Sequence, residues 1–349
     1  MAPDAETSPI DRPDAVTQTY LGFGPHEVRV IDEFEIHDPA REKEIPVKAY
    51  CPMADGPFPV IIFSHGAGDS NESSPHLMRH WASHGYIVLL PTHYFGERPL
   101  IERSLGRLAR ELLRPARQGP SAWFERTGDI RAVLDSLPAL GSIVPELDGK
   151  VDPSRIGVGG HSFGAYTTML LGGATLKDKD GSTFRFDDPR PKAFLMISGP
   201  GHDSWGLTES SYDAMTRPLM VFAGSHDPPP TFASDPMWRA EAYTCGPAGD
   251  KYLVFIRGAN HMSYVGPIFD LPLRDPGKRG PVALALRCCA RWLAAFAPGL
   301  DQVGIFDYSR IASTAFWDAH LKEDPRSAAY LRCTALARYS RGVVRLQHK

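Results

Sequence analysis

The sequence predicts an α/β fold in which a mostly parallel central sheet is flanked by helices. Short apolar runs bounded by Gly, Pro or Asp are typical of strands that are buried on both faces. Helical stretches separate these runs, and such alternation of strand and helix favours a parallel sheet. The predicted buried strands are PVIIFS (59–64), GYIVLLPT (85–92), RIGVGG (155–160), AFLMIS (193–198), PLMVFAG (218–224) and YLVFIRG (252–258).

The N-terminal part of the chain leads into this sheet. Residues 1–25 are rich in Pro, Asp and Thr, which predicts a loose tail before a single domain that spans 26–349. The segments HEVRVIDEFEI and IPVKAYCP follow the tail. Because apolar and polar residues alternate in the first of them, we expect an antiparallel strand pair at this edge of the sheet.

Two further segments have no place in the sheet. Residues 94–120 carry leucines at helical spacing, and they form either a lid over an apolar substrate or an amphipathic helix packed on the body. Residues 300–349 are expected to be C-terminal helices, and their basic end is expected to be a solvated helix and tail rather than a nucleic-acid patch.

The composition is that of a globular protein. Of 349 residues, 42% are hydrophobic and 23% are charged, and the net charge is −3. A general nucleic-acid binder needs a basic face, which this balance does not favour. No apolar run approaches the roughly 18 residues of a membrane-spanning helix. Five scattered cysteines without a C-x-x-C pair predict neither a zinc ribbon nor a disulfide framework. We therefore expect a cytoplasmic location without stable membrane insertion, while the oligomeric state stays open.

The strongest chemical motif is Gly160-His161-Ser162-Phe163-Gly164. It follows the strand RIGVGG and opens a helix, which is the context that a G-x-S-x-G nucleophile turn requires. The glycines let the chain bend sharply, so that the serine hydroxyl protrudes. A Gly-rich packing turn is the alternative interpretation, but the strand–turn–helix context favours Ser162 as a nucleophile.

A nucleophilic serine needs a base and an acid. Asp227 follows the strand PLMVFAG and His261 follows the strand YLVFIRG, so both emerge at the edge of the sheet where ligands gather. In this interpretation His261 accepts the Ser162 proton and Asp227 fixes the tautomer of the imidazole. Asp203, which follows the preceding strand, is the alternative acid. The order serine, aspartate, histidine is that of the α/β-hydrolases.

A catalytic serine also needs donors for the oxyanion. His65-Gly66-Ala67-Gly68 follows the strand PVIIFS and is similar to the turns that supply a backbone N–H group in lipases and esterases. We expect the two donors to be the backbone N–H groups of Ala67 and Phe163. The candidates for substrate binding, which adjoin the catalytic positions in sequence and could equally be core residues, are Trp205, Met262 and Tyr264.

Three histidines raise the question of a metal. His76, His80 and His84 share one helix face at a spacing that could ligate a metal ion, but no carboxylate or thiolate is close in sequence. A solvated helix face is the favoured interpretation. The sequence thus predicts neither a metal nor a cofactor.

Several segments together resemble the dienelactone-hydrolase-like branch of the α/β-hydrolases, which includes platelet-activating-factor acetylhydrolases and chlorophyllase-like esterases. The resemblance spans roughly residues 45–330, and its most specific features are the GHSFG turn, the HGxG turn and the FWDAHL helix. It implies a metal-free serine esterase with Ser162, Asp227 and His261 as its triad. Dienelactone hydrolases have a cysteine nucleophile where this chain has Ser162, so dienelactone is not the implied substrate. The resembling segments are FSHGAGDSNESSPHLMRHWASHGYIVLLPTHY, GGHSFGAYTTMLLGGA, DPRPKAFLMISGPG, RPLMVFAGSHD, GANHMSY and STAFWDAHLK.

The expected function is hydrolysis of small-to-medium apolar or aromatic carboxylic esters through an acyl-enzyme, with a small-molecule ester as the only partner. An amidase, a peptidase or a polyester hydrolase could use the same triad. The alternative from another class is a catalytically silent scaffold that acts as a binding module. Such a scaffold would have lost the serine, the aspartate or the histidine, and this chain keeps all three.

Overall fold

The computed structural model describes residues 14–67, 69–94, 120–227, 235–264 and 302–349. In these ranges the chain forms eleven strands and nine α-helices. The strands are β1 Val28–Asp38, β2 Lys43–Pro52, β3 Phe58–Ser64, β4 Ile87–Pro91, β5 Val151–His161, β6 Thr175–Lys177, β7 Thr183–Arg185, β8 Ala193–Ile197, β9 Leu219–His226, β10 Lys251–Asn260 and β11 Val344–His348. The helices are α1 Ala15–Leu21, α2 Pro75–Ser83, α3 Pro120–Ser136, α4 Leu140–Ile143, α5 Phe163–Gly172, α6 Glu241–Thr244, α7 Gln302–Leu321, α8 Pro325–Tyr330 and α9 Ala335–Tyr339.

The central sheet has the order β1-β2-β4-β3-β5-β8-β9-β10-β11 within the described residues. Strands β4, β3, β5, β8, β9 and β10 pair with one another in parallel. Antiparallel pairs close both edges: β1 with β2 and β2 with β4 at one end, and β10 with β11 at the other. This arrangement confirms the predicted α/β class with its N-terminal antiparallel strand pair.

Both faces of the sheet are buried, which explains the continuous apolar runs. Val60 and Ile62 of β3 belong to a core cluster with residues of helices α3 and α5. Ile61 and Phe63 of the same strand point the other way, into a second cluster with residues of α2 and α7. Successive side chains of a strand point to opposite faces, so a strand between two helical layers must be apolar at every position.

The two ends of the chain differ from the sequence-based prediction. Within the segment 1–25, expected to be a loose tail, Ala15–Leu21 form helix α1. The carboxylate of Asp14 caps this helix, and the buried Tyr20 donates a hydrogen bond of 2.5 Å to Asp318. At the other end, helices α7–α9 are followed by strand β11 where a solvated helix and tail were expected. The short hairpin of β6 and β7 was not predicted either.

The three histidines at helix α2, which are His76 and His80 within it and His84 directly after it, do not form the solvated face that the sequence suggested. His80 is fully buried and His84 is 8% exposed, because this face packs toward helix α7 and the N-terminal segment. Among the described residues there is no cluster of three His, Cys, Asp or Glu side chains that could hold a metal ion. Nor does any helix in the described ranges combine the length and apolar character needed to cross a membrane. The candidate lid at 94–120 falls almost entirely outside the described residues, at positions 95–119.

Candidate active site

Ser162 occupies a sharp turn between strand β5 and helix α5. Its backbone angles, φ 57° and ψ −116°, lie in a region that residues other than glycine rarely adopt, as is usual for a nucleophile held at a strand-to-helix turn. The flanking glycines are required by close packing. A Cβ atom on Gly160 would lie 2.3 Å from the carbonyl carbon of Gly164, and one on Gly164 would lie 1.8 Å from the carbonyl oxygen of Ser64. Glycine is therefore needed at both positions because helix α5 lies very close to strands β5 and β3.

His261 connects Ser162 to Asp227. Its Nε2 atom lies 2.9 Å from Ser162 Oγ, and its Nδ1 atom lies 3.1 Å from Asp227 Oδ1. The His261 side chain is 36% exposed and the Asp227 side chain only 1%, so the line of contacts runs from the surface into the protein. Such an arrangement can move the serine proton to the imidazole while the carboxylate stabilises the resulting positive charge.

Asp227 is held by two residues that the sequence analysis did not single out. The Ser198 hydroxyl donates to Asp227 Oδ2 and lies 2.6 Å from His261 Nδ1. The Nε atom of the buried Arg239 lies 3.1 Å from Asp227 Oδ1, and its guanidinium also donates to the Ser198 carbonyl. Burial alone would raise the pKa of the Asp227 carboxyl. The hydrogen bond and charge of His261, the charge of Arg239 and the Ser198 hydroxyl outweigh burial, so the pKa is lower than usual.

His161 supports the loop that carries His261. Its Nε2 atom lies 2.8 Å from the His261 carbonyl oxygen, and the two rings are 4.8 Å apart. Burial, together with the neighbouring His261, lowers the pKa of His161 to about 3. The imidazole is therefore neutral near pH 7 and donates its Nε2 proton to the carbonyl.

The turn that follows β3 lies directly against Ser162. A Cβ atom on Gly66 would be 3.5 Å from Ser162 Cβ. The Phe163 N–H group is at the first position of helix α5, where no intrahelical acceptor exists. The structure therefore brings both expected oxyanion donors, Ala67 and Phe163, into segments that adjoin the Ser162 side chain. Gly68, the last residue of the turn, lies outside the described residues.

The three candidate substrate-binding residues have different positions. Trp205 is half-buried, and its ring meets Phe163 edge-on at 5.0 Å, next to the serine. Met262 is 44% exposed beside His261. Tyr264 is fully buried and packs on Phe222, which agrees with the core position that the sequence left open as the alternative to a substrate pocket.

Asp203, the alternative acid, lies away from the imidazole. Its side chain is 90% exposed, and its ion-pair partner is His202 at 3.5 Å. The structure brings Asp227, and not Asp203, to His261.

Comparison with known proteins finds sequence similarity to two groups of hydrolases. A sequence model of the chlorophyllase family matches residues 17–110, a range that contains the turn after β3 and ends before Ser162. The platelet-activating factor acetylhydrolase of Cavia porcellus is 27% identical over 150 residues, which cover 36% of this chain and 34% of that protein. Chlorophyllase-1, chloroplastic, of Citrus sinensis and its Citrus unshiu counterpart are each 32% identical over 127 residues, covering 36% of this chain and 32% of theirs.

The chain thus matches only about a third of the length of each of these relatives. The similarity agrees with the architecture: a parallel sheet between helical layers, with Ser162 at a strand-to-helix turn and His261 and Asp227 after later strands. The chain has the α/β-hydrolase fold and is similar in sequence to chlorophyllases and platelet-activating factor acetylhydrolases.

Proposed function

We propose that the protein is a carboxylic-ester hydrolase that works through an acyl-enzyme on Ser162. The observation that carries the proposal is the continuous line of contacts from Ser162 Oγ through the His261 ring to Asp227, at 2.9 and 3.1 Å. The line supports activation of a serine because both ring nitrogens are engaged, one by the nucleophile and one by a buried carboxylate.

In the proposed reaction the Ser162 oxygen attacks the ester carbonyl carbon while its proton passes to His261 Nε2. The backbone N–H groups of Ala67 and Phe163 stabilise the negative oxygen of the tetrahedral intermediate. His261 then gives the proton to the departing alkoxide, and the acyl group stays on Ser162. A water molecule, deprotonated by His261, attacks the acyl carbon, and the proton returns to Ser162 as the acid leaves.

The surroundings of Asp227 favour its ionised form, which this reaction needs. A positive imidazole forms each time His261 holds the serine or water proton, and the Asp227 carboxylate stabilises it at 3.1 Å. Arg239 and Ser198 help to keep the pKa of the carboxyl low although the group is 1% exposed. The carboxylate therefore stays charged throughout the cycle near neutral pH.

The proposed substrate is a small-to-medium ester with an apolar or aromatic part. The Trp205 ring meets the Phe163 ring edge-on, with the ring centres 5.0 Å apart, beside the nucleophile, and an apolar group can pack there. The name acetylhydrolase in one relative supports a short acyl group. No step of the proposed reaction uses a metal or a cofactor.

The proposal is tested with p-nitrophenyl esters from acetate to long acyl chains, assayed on wild type and Ser162→Ala with and without a chelator. We expect hydrolysis by wild type that is insensitive to the chelator, strongest for short acyl groups, and lost in Ser162→Ala. Circular dichroism and thermal unfolding check that the variant is folded. If the folded wild type hydrolyses none of these esters but cleaves the matching anilides, the proposal is wrong and the site is that of an amidase. Hydrolysis by wild type that survives in Ser162→Ala also refutes it.

A further inference from the structure

Arg126, in helix α3, contacts the turn that carries one of the proposed oxyanion donors. The residue is 4% exposed. Its NH1 group donates to the His65 carbonyl at 2.9 Å, and its NH2 group donates to the Gly66 carbonyl at 3.4 Å. A buried guanidinium is thus fixed on two successive backbone carbonyls, although helix α3 takes no part in the nucleophile, base or acid.

The contact with Gly66 determines where the Ala67 N–H group points. The Gly66 carbonyl and the Ala67 N–H belong to one peptide group, which is planar and trans, so they point in opposite directions. A donor that holds the carbonyl on the side of Arg126 therefore directs the N–H group away from Arg126. Because glycine tolerates many backbone conformations, the turn would not keep this orientation by its own sequence.

His65 also stabilises this orientation of the peptide group between Gly66 and Ala67. Its Nε2 atom accepts the backbone N–H of His93 at 3.1 Å, so the proton of a neutral ring resides on Nδ1. Nδ1 lies 2.7 Å from the Gly66 carbonyl oxygen and donates to it. The carbonyl of Gly66 thus has two donors, one from its own turn and one from helix α3.

The same guanidinium also contacts the residue that carries the second donor. Its central carbon lies 4.6 Å from the centre of the Phe163 ring, a cation–π distance. A planar guanidinium can donate to two carbonyls and at the same time cover an aromatic ring, whereas the compact ammonium of lysine cannot do all three. Arg126 therefore links the turn of Ala67 to the first residue of helix α5.

From these contacts we infer that Arg126 is a positioning residue of the oxyanion hole, which fixes the Ala67 N–H group relative to the Phe163 N–H group. The inference rests on the proposed ester hydrolysis and adds a residue to it. Arg126 acts through the backbone and does not touch the substrate. Its loss should therefore weaken stabilisation of the tetrahedral intermediate and leave substrate binding nearly unchanged.

The test compares wild type with Arg126→Lys and Arg126→Met. Arg131→Met is the matched control, because Arg131 lies on the same helix and donates to the Phe186 carbonyl at 2.7 Å, away from the turn. For each protein we would measure kcat, KM and thermal unfolding with the best p-nitrophenyl ester. The inhibition constant of phenylboronic acid is also measured, since the boron takes up the serine oxygen and mimics the tetrahedral intermediate.

For Arg126→Met we expect kcat to fall about ten- to hundred-fold, with KM within about twofold of wild type. This fall in kcat is no larger than the fall caused by removing a whole oxyanion donor. The phenylboronate inhibition constant should rise by a similar factor. Arg126→Lys should lie between this variant and wild type, and Arg131→Met should have wild-type kcat.

The inference is overturned if folded Arg126→Met keeps wild-type kcat and phenylboronate affinity, or if only KM rises. Should Arg126→Met not fold, Arg126→Lys decides by the same comparison, with wild-type kcat again overturning the inference. A fall in kcat equally large in Arg131→Met would show a general effect of helix α3 and would also refute it. Failure of the proposed function looks different, because wild type itself would then be inactive on these esters or Ser162→Ala would keep the activity.

Discussion

Replacement of Asp227 by asparagine tests the assignment of the acid. The change keeps the size of the side chain but removes its charge at a site that is 1% exposed. On one side the carboxylate faces His261 Nδ1 and Arg239 Nε, each at 3.1 Å, and on the other side it faces the Ser198 hydroxyl. An amide has one accepting oxygen, so it cannot serve all of these donors and cannot stabilise a positive imidazole.

The expected effects are large in both activity and stability. The equivalent change in a serine protease triad lowers kcat about 10⁴-fold, which corresponds to about 5.5 kcal/mol of barrier. In addition, the Asp227→Asn variant leaves the guanidinium of Arg239, a residue 7% exposed, without its carboxylate. Removing one partner of a buried ion pair costs about 3–5 kcal/mol of folding free energy.

The assay measures kcat with a p-nitrophenyl ester and the free energy of unfolding in urea. Asp203→Asn is the control, since its side chain is 90% exposed and contacts His202 rather than His261. We expect this control to match wild type in both measurements. Near-normal kcat in Asp227→Asn together with lost activity in Asp203→Asn would contradict the assignment of Asp227 and make Asp203 the acid.

Three further predictions concern the surroundings of the site and the core. Gly164→Ala should lose about 1–3 kcal/mol of unfolding free energy or more, because the new methyl group would lie 1.8 Å from the Ser64 carbonyl oxygen; wild-type stability in urea would contradict this. Ser198→Gly suits the φ of 53° but removes the hydroxyl that donates to the buried Asp227 and lies 2.6 Å from His261 Nδ1, so kcat should fall about tenfold and the free energy of unfolding by about 1–3 kcal/mol. Unchanged kcat in this variant would show that the hydroxyl has no part in positioning the imidazole. Burial lowers the pKa of His80 from 6.5 to about 2, so between these values the unfolded chain binds a proton that the folded protein does not. Unfolding free energy should therefore fall as the pH is lowered through this window, His80 contributing about 1.4 kcal/mol per pH unit, and His80→Met should reduce the slope by that amount. Equal slopes for the two proteins would argue against a neutral, buried His80.

Much of the fold could be predicted because the parallel strands are buried on both faces. The run PVIIFS is apolar up to its closing Ser64, and its boundaries agree with strand β3, Phe58–Ser64, to within one residue. Helix α1 could not be found in this way. Its Tyr20 is held by Asp318 in helix α7, 298 residues further along the chain, and no local pattern reveals such a contact.

Strand β11 was missed for a related reason. Val344–His348 carry several charged and polar side chains, and four of the five positions are at least partly exposed. The segment becomes a strand because it pairs antiparallel with β10 at the edge of the sheet. Whether this segment forms a strand depends on pairing with the neighbouring strand more than on its own composition.

The residues of the site also divide into those that the local sequence predicts and those whose role depends on contacts distant in sequence. Ser162, Asp227 and His261 each follow a predicted strand, and the topology alone indicates that such positions lie at one edge of the sheet. Arg239 and Arg126 follow no strand, and Arg126 lies 61 residues from the His65 carbonyl that it binds. Ser198 did end a predicted strand, so a polar residue closing an apolar run is the signal that could have found it.

Tyr264 is close to His261 in sequence but lies in the core. The residue is three positions after His261, yet the turn between them directs its ring into the core against Phe222. The direction in which a side chain of a turn points depends on the backbone angles, and neighbouring residue types determine these angles only weakly.

Covalent labelling with a fluorophosphonate tests most directly whether Ser162 is an activated nucleophile. The reagent's phosphorus accepts the serine oxygen and releases fluoride, and peptide mass spectrometry locates the adduct. We expect one adduct per chain, on Ser162, which is absent in Ser162→Ala and forms far more slowly in His261→Ala. A folded wild-type protein that forms no adduct, or one labelled at a serine other than Ser162, would contradict it.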